Sequence, residues 1–189
     1  MTRLRPRSPA FSIIELLVVI AIIIILVGLI LTTIGYAQKK SARSRAETEI
    51  AAMSAALESY RADNAVYPKN ESTDALDPTT STDPASYVSA GNLLYQQLSG
   101  DIDNDPNTTA DDQRNYIAPL LKPNSLAMGA TPYLKDPWGN AYGYSTMKAS
   151  NPAANGYNPT FDLWSTGGYT PTGGPAPTPT PQNFWIKNW

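Results

Sequence analysis

FSIIELLVVIAIIIILVGLILTTIGYA, residues 11–37, is the segment from which the architecture of this chain follows. Residues 16–37 are 22 consecutive positions without a charged side chain, and residues 16–31 are almost entirely aliphatic. An α-helix rises about 1.5 Å per residue, so about 20 apolar residues cross a hydrocarbon core of about 30 Å. A helix that is apolar on every side has no face for water. The segment therefore predicts a transmembrane helix rather than a buried core helix or a cleaved secretory signal.

The next segment, residues 38–64, continues the helix with a different character. It contains neither Pro nor Gly, and one apolar stripe recurs at helical spacing: Ile50, Met53, Leu57 and Tyr60. We expect the helix to end near Asn64, because Asp and Asn favour turns and Pro68 follows. A basic collar stands where the helix would leave a bilayer: Lys39, Lys40, Arg43 and Arg45. We expect it to reach towards the headgroups rather than to form a specific ligand site.

Charge and composition divide the chain in two. Residues 1–45 hold seven basic groups and one acid, whereas residues 46–189 hold seven basic groups and fifteen acids. A basic, apolar front joined to an acidic, polar body is typical of a membrane-anchored protein. The formal net charge of −2 argues against nucleic acid as a partner. The chain has no Cys and no His, which excludes disulfides, Cys/His zinc sites, thiol nucleophiles and histidine-based triads.

Glu15 is the one acid of the apolar front, and it stands at the entrance to the uncharged run. A carboxylate at the edge of hydrocarbon is costly and needs a partner. The following 23 residues contain no Lys or Arg. From the residues alone, Glu15 is either an interfacial carboxylate in the headgroup layer or one half of a charge pair.

Residues 101–112, DIDNDPNTTADD, form an acidic loop that could hold a cation. Its acids stand at alternate positions and at the twelfth position: Asp101, Asp103, Asp105 and Asp112. This spacing is close to that of a calcium-binding EF-hand loop. However, Pro106 stands where that loop needs Gly, and Asp at the twelfth position is one methylene shorter than the usual Glu. We expect a solvated loop and keep Ca²⁺, held by these four carboxylates, as the alternative and as the cofactor candidate.

The body is predicted as a small antiparallel β-sheet with long loops. The turn DPWGN, residues 136–140, should separate residues 133–134 from an outgoing strand at residues 141–146. TFDLWS, residues 160–165, predicts another strand. Two strands alone are marginal, so we expect them to pack on the apolar stripe of the helix. The fold class is therefore α+β.

The flanking segments of the body carry weaker signals. Residues 69–89 are polar and are expected to be a loop, whereas residues 92–98 predict a short helix that ends at Gly100. Residues 171–181 alternate Pro with Thr and small residues and predict an extended strap. The ending NFWIKNW is apolar enough to dock on the body. The four Trp residues are expected to be core or strap contacts rather than a carbohydrate-stacking surface.

The segment PAFSIIELLVVIAIIIIL, residues 9–26, resembles the class III signal of type IV pilins and type II secretion pseudopilins. In that family a short basic leader precedes a Phe, and a Glu stands fifth in the mature chain, before a long apolar helix. Phe11 and Glu15 match these positions, whereas Ala10 departs from the Gly that usually ends the leader. YRADNAVYP, DPWGN and FDLWSTGG resemble the major pseudopilins of type II secretion more closely.

The resemblance implies a processing and assembly scheme. Prepilin peptidase would cleave between Ala10 and Phe11, Phe11 would be N-methylated, and Glu15 would pair with the α-amine of Phe11 on a neighbouring subunit. The implied division of the chain is as follows: a leader at 1–10, a transmembrane helix at 11–37, an amphipathic helix at 38–64, a pilin-like domain at 65–168 and a Pro/Thr-rich strap at 169–189.

The function implied is that of a structural subunit rather than an enzyme. It would form a homopolymer and work with prepilin peptidase, an inner-membrane assembly platform and minor pseudopilins. Its N-terminus would be cytoplasmic and its domain periplasmic. The alternatives left open are a type IV pilin of an adhesion or motility pilus and a signal-anchored adhesin or binding module. In the pseudopilins the loop after the last strand often holds Ca²⁺, but residues 168–188 contain no Asp or Glu, so that site is not carried over.

Overall fold

The computed structural model describes residues 11–105, 114–117, 125–127, 129, 131–171 and 181–189, apart from the side chains of residues 30–34 and 181. The chain divides into two compact units, Met1–Ser41 and Ala42–Trp189. Helix α1, Ile13–Asn64, supplies residues to both units. In the first unit the described side chains of this helix are exposed. In the part of the chain that the structure describes, no helix is both long enough and apolar enough to cross a membrane.

In the second unit the apolar stripe of α1 is the centre of the core. Ile50, Met53 and Leu57 are at most 4% exposed, and Tyr60 packs at the edge of the same cluster. The helix ends at Asn64, and Ala65 follows with a left-handed φ of 63°. Both the predicted stripe and the predicted end of the helix are confirmed.

The strands form two small antiparallel sheets. Strand β1, Leu126–Ala127, pairs with β2, Tyr133–Leu134. Strand β4, Asp162–Ser165, lies between β3, Gly143–Ser145, and β5, Ile186–Lys187. The predicted strands on both sides of DPWGN are present. However, they belong to different sheets that are joined across the turn by one bridge between Lys135 and Ala141.

The prediction of a loop for residues 69–89 is wrong in part. Helix α2, Glu71–Ala75, begins at a capping box in which the Asn70 carboxamide and the Thr73 hydroxyl each accept a hydrogen bond from the other's backbone N–H. A 3₁₀ turn, Pro84–Tyr87, leads into α3, Val88–Ser99. The helix expected at residues 92–98 is therefore confirmed and begins earlier. It ends as predicted at Gly100, which has a φ of 86°. A four-residue helix, α4 at Met147–Ser150, follows β3.

The α+β architecture predicted from the sequence is confirmed. A long N-terminal helix packs against small antiparallel sheets, and α3 packs against β2 and β3. A second apolar cluster lies beside the main core and is built around Trp164 and Trp185. Residues 172–180 of the expected strap lie outside the described residues, but the chain end beyond them docks on the body as predicted, because Trp185 and Ile186 are buried.

Candidate functional site

The N-terminus of α1 holds Glu15 in a local hydrogen-bonded arrangement. The backbone N–H of Ser12 donates to Oε2 of Glu15 at 2.9 Å, and the Ser12 hydroxyl accepts from the N–H of Ile14 at 3.3 Å. The Glu15 carboxylate thus reaches back to the amide of the N-cap residue Ser12, as in a capping box, whereas the Ser12 hydroxyl binds the second amide of the helix rather than the third. The S-x-x-E spacing at residues 12–15 was the signal for this role in the sequence. Glu15 therefore has a structural partner in its own chain.

Phe11 and Glu15 lie together on an exposed, mainly apolar surface. The Phe11 side chain is 80% exposed. Both residues line an open groove of about 360 Å³ together with Ile14, Val18 and Val19. Ala10 lies outside the described residues, so cleavage between Ala10 and Phe11, methylation of Phe11 and pairing of Glu15 with the α-amine of Phe11 stay predictions.

The acidic loop is turned inward at its first residue. Asp101 is 6% exposed, and its Oδ2 accepts a short hydrogen bond from the Tyr95 hydroxyl on α3. Its Oδ1 is buried and has no hydrogen-bond partner among the described residues. Asp103 accepts from the backbone N–H of Asp105 at 2.9 Å, which makes a tight local turn. Asn104, between them, has a φ of 63° and is held by Asn92 of α3.

The four predicted ligand carboxylates are only partly described. Asp101, Asp103 and Asp105 lie within the described residues, and Asp112 lies outside them. Among the described residues, no group of three or more acidic side chains is placed so as to hold a metal ion. Calcium binding by this loop stays a prediction.

A buried cluster around Glu49 joins α1 to the sheets, and the sequence analysis missed it. Glu49 is 9% exposed and accepts from Arg45 Nε at 2.7 Å and from the Tyr142 hydroxyl at 2.6 Å. The Arg45 guanidinium also donates to the Ser125 hydroxyl at 2.7 Å. Burial raises the pKa of Tyr142 strongly, and the Glu49 carboxylate adds to the rise, so this hydroxyl keeps its proton and serves as a donor. The cluster fixes the orientation of the helix against the sheets.

Two motifs singled out in the sequence meet at Asp136. In the DPWGN turn its Oδ1 accepts from the backbone N–H groups of Trp138 and Asn140 at 3.0 and 2.9 Å. Its Oδ2 accepts from the hydroxyl of Ser165, the last residue of FDLWS, at 2.6 Å. Asp136 is 1% exposed, and burial raises the pKa of its carboxyl, while the hydrogen bonds act in the opposite direction. The turn is therefore attached to β4 through one buried carboxylate.

Comparisons with known proteins show which proteins the chain is similar to. The family model described as "Type II secretion system (T2SS), protein G" matches residues 33–108. The chain is 35% identical over 88 residues to the "Type II secretion system core protein G" of Aeromonas hydrophila; the match covers 45% of this chain and 62% of that protein. No solved structure matches. The resemblance to the type II secretion pseudopilins is confirmed.

Aromatic side chains pack against one another near the C-terminus of the chain. The ring of Trp185 stacks on that of Trp164 with centroids 5.7 Å apart, and the ring of Trp189 stacks on that of Tyr157 at 4.3 Å. Trp164 and Trp185 are at most 2% exposed, so neither presents a face to a carbohydrate. Gly168, with a φ of 84°, lies directly against the Trp138 indole. These contacts hold the segment after FDLWS by packing.

Proposed function

We propose that this chain is a structural subunit of a type II secretion pseudopilus that polymerises through its N-terminal helix after prepilin peptidase removes residues 1–10. The similarity to protein G of type II secretion supports this role, as do the motifs in residues 9–26, 136–140 and 161–168. Partners that follow from the proposal are further copies of the chain, prepilin peptidase, an inner-membrane assembly platform and minor pseudopilins. The role is one of assembly rather than catalysis.

The observation that carries the proposal is the contrast between the two parts of α1. From residue 42 onwards the helix buries its apolar stripe in its own domain. From Ile13 to Leu29 its aliphatic side chains are exposed, Leu17 at 63% and Ile25 at 64%. An apolar surface of this extent needs an apolar partner, since exposure to water costs about 25 cal/mol per Å². We propose that lipid covers this apolar surface before assembly and that helices of other copies of the chain cover it after assembly.

The location follows from the same helix. The uncharged run at residues 16–37 would be about 33 Å long as a helix, which matches the hydrocarbon core of a membrane. We propose a single pass through the bacterial inner membrane with the N-terminus cytoplasmic and the domain periplasmic. The assembled filament would stand in the periplasm or reach the cell surface.

Glu15 has two roles in this proposal. Its carboxylate caps α1 by accepting from Ser12 N–H, and it would also pair with the new α-amine of Phe11 on a neighbouring subunit. The pair neutralises a carboxylate that would otherwise stand uncompensated among apolar helices, at a cost of several kcal/mol. It would also set the axial step between subunits. Capping survives replacement by Gln, whereas the charge pair does not, so the two roles can be separated.

Loss of the chain from its native host tests the function. Proteins normally released to the medium are expected to accumulate in the periplasm, and wild-type chain supplied in trans is expected to restore release. A resident periplasmic enzyme that stays inside the cells is the control against lysis. Normal secretion combined with loss of surface pili or motility would contradict the proposal and favour a type IV pilin.

Processing is tested by intact-mass measurement of the chain from native membranes. We expect a mature chain that begins at Phe11 and carries one N-methyl group. Ala10→Gly places the family's usual residue before the cleavage point and is expected to be processed at least as fast, whereas a bulky Ala10→Leu is expected to block cleavage. A chain that keeps residues 1–10 in all three forms would contradict the processing step.

A further inference from the structure

The basic collar at residues 39–45 is divided by the structure into two pairs with different roles. Arg43 forms an ion pair with Glu47 at 3.2 Å and donates to the carbonyl oxygen of Phe184 at 3.3 Å. Arg45 lies in the buried cluster around Glu49. Both arginines belong to the unit Ala42–Trp189, and both are used by its fold. No sequence pattern separates these arginines from the two lysines.

Lys39 and Lys40 form the second pair, in the unit Met1–Ser41. Both side chains are exposed, and among the described residues neither makes an ion pair or hydrogen bond. Tyr36 stands one turn earlier on the helix and is 74% exposed. An amphipathic aromatic ring followed by free ammonium groups at the end of an apolar run is the arrangement that suits the headgroup layer of a membrane.

We propose that Lys39 and Lys40 bind the phosphate group of an anionic phospholipid where α1 leaves the membrane. The inference rests on the membrane anchoring proposed above. Lys39 follows the uncharged run directly after Gln38. Both arginines are held by partners in the domain, whereas the two lysines keep their ammonium groups exposed, so the lysines are the collar residues available to an anionic headgroup. The flexible lysine stems reach the phosphate while the arginines keep the domain folded.

The test uses the full-length chain in phosphatidylcholine vesicles that contain a trace of spin-labelled lipid. The ratio of the association constants for labelled phosphatidylglycerol and labelled phosphatidylcholine is measured by electron paramagnetic resonance. Each lysine near an anionic surface changes binding up to about fivefold, so with two lysines we expect a preference for phosphatidylglycerol of between about fivefold and about 25-fold. Lys39→Gln/Lys40→Gln should reduce the ratio to about 1, and Lys39→Arg/Lys40→Arg should retain it.

Lys69→Gln/Lys135→Gln is the matched control, because it removes the same charge from the domain, and it should leave the ratio unchanged. A preference that survives Lys39→Gln/Lys40→Gln, or that is lost equally in the control, would overturn the inference. Loss of the preference in inorganic phosphate, but not in chloride of the same ionic strength, would point to free phosphate as the ligand and would also overturn it. Carbonate extraction of the wild-type chain tests the proposed membrane anchoring separately from the proposed role of the lysines. An extracted chain contradicts membrane anchoring itself, whereas a retained chain without lipid preference contradicts only the role of the lysines.

Discussion

Glu49→Ala is expected to destabilise the domain more than any other single change of an acid in α1. The substitution removes the acceptor of the Tyr142 hydroxyl, which then remains buried and has lost its 2.6 Å bond to Glu49. It also removes the partner of Arg45, whose side chain is 40% exposed. Local helix propensity should not oppose the change, since Ala is the best helix former.

The size of the effect follows from these two losses. A buried donor left without an acceptor costs about 1–3 kcal/mol. An ion pair with one partly exposed member adds no more than about 1 kcal/mol. The Ser125 hydroxyl lies 3.4 Å from the carboxylate, too far for a strong bond, and contributes little. We therefore expect a loss of about 1–4 kcal/mol in the free energy of unfolding.

Urea unfolding of the full-length chain in detergent, followed by Trp fluorescence, measures this loss. All four Trp residues lie at or beyond position 138, so the signal reports the second unit. Glu47→Ala is the matched control, because its pair with Arg43 is about half exposed and should be worth less than about 0.5 kcal/mol. Tyr142→Phe should cost about 1–2 kcal/mol, and its combination with Glu49→Ala should cost less than the sum. Equal losses for Glu49→Ala and Glu47→Ala would contradict a stabilising role of the buried cluster around Glu49.

Three further predictions concern the sheets and the acidic loop. Gly143→Ala would bring a Cβ within 2.6 Å of Cδ2 of the buried Trp164 indole and should lower the free energy of unfolding, measured in urea, by about 1–3 kcal/mol. Gly91→Ala is the control, because the atom nearest to its new Cβ would be 3.5 Å away, and it should leave the free energy of unfolding unchanged or raise it. Burial raises the pKa of the Asp136 carboxyl, so the contribution of this group to stability is greatest at low pH and is lost as the pH rises through the folded-state pKa. Asp136→Asn should therefore lower the free energy of unfolding less at pH 7 than at pH 4, and an equal loss at the two pH values would contradict this. Millimolar Ca²⁺ should leave the Tm of the chain unchanged, because among the described residues no group of three or more acidic side chains is placed to hold the ion. Occupancy at a hundredfold excess over Kd would stabilise the chain by about 2.7 kcal/mol, so a clear rise in Tm would show that the chain binds Ca²⁺.

Features with a local periodicity or a turn signature were predictable from the sequence. The apolar stripe of α1 repeats every three or four residues, and its burial follows from that repeat. The DPWGN turn was predictable because Asp, Pro and Gly each suit one position of a turn. Helix α2 was missed since five residues are too short for a periodic signal, although Asn70 and Thr73 stand at capping-box spacing.

Features that depend on contacts between distant residues were not predictable. Glu49 meets Ser125 and Tyr142 across 76 and 93 residues of chain. The one local signal was the Arg45–Glu49 spacing, which is typical of an exposed helix pair rather than a buried one. Strand β5 is two residues long and is defined by its pairing with β4. The division of the basic collar likewise required the partners of Arg43 and Arg45 to be known.

Polymerisation through the N-terminal helix is tested by the filament yield of Glu15 variants expressed in the native host. Glu15→Gln keeps an acceptor for Ser12 N–H and removes the charge, whereas Glu15→Ala removes both. Filaments sheared or isolated from the envelope are quantified against the membrane-inserted chain. We expect both variants to insert normally and both to give far fewer filaments than the wild type. A wild-type yield from Glu15→Gln and Glu15→Ala would contradict assembly through a Glu15 charge pair and leave the carboxylate with its capping role alone.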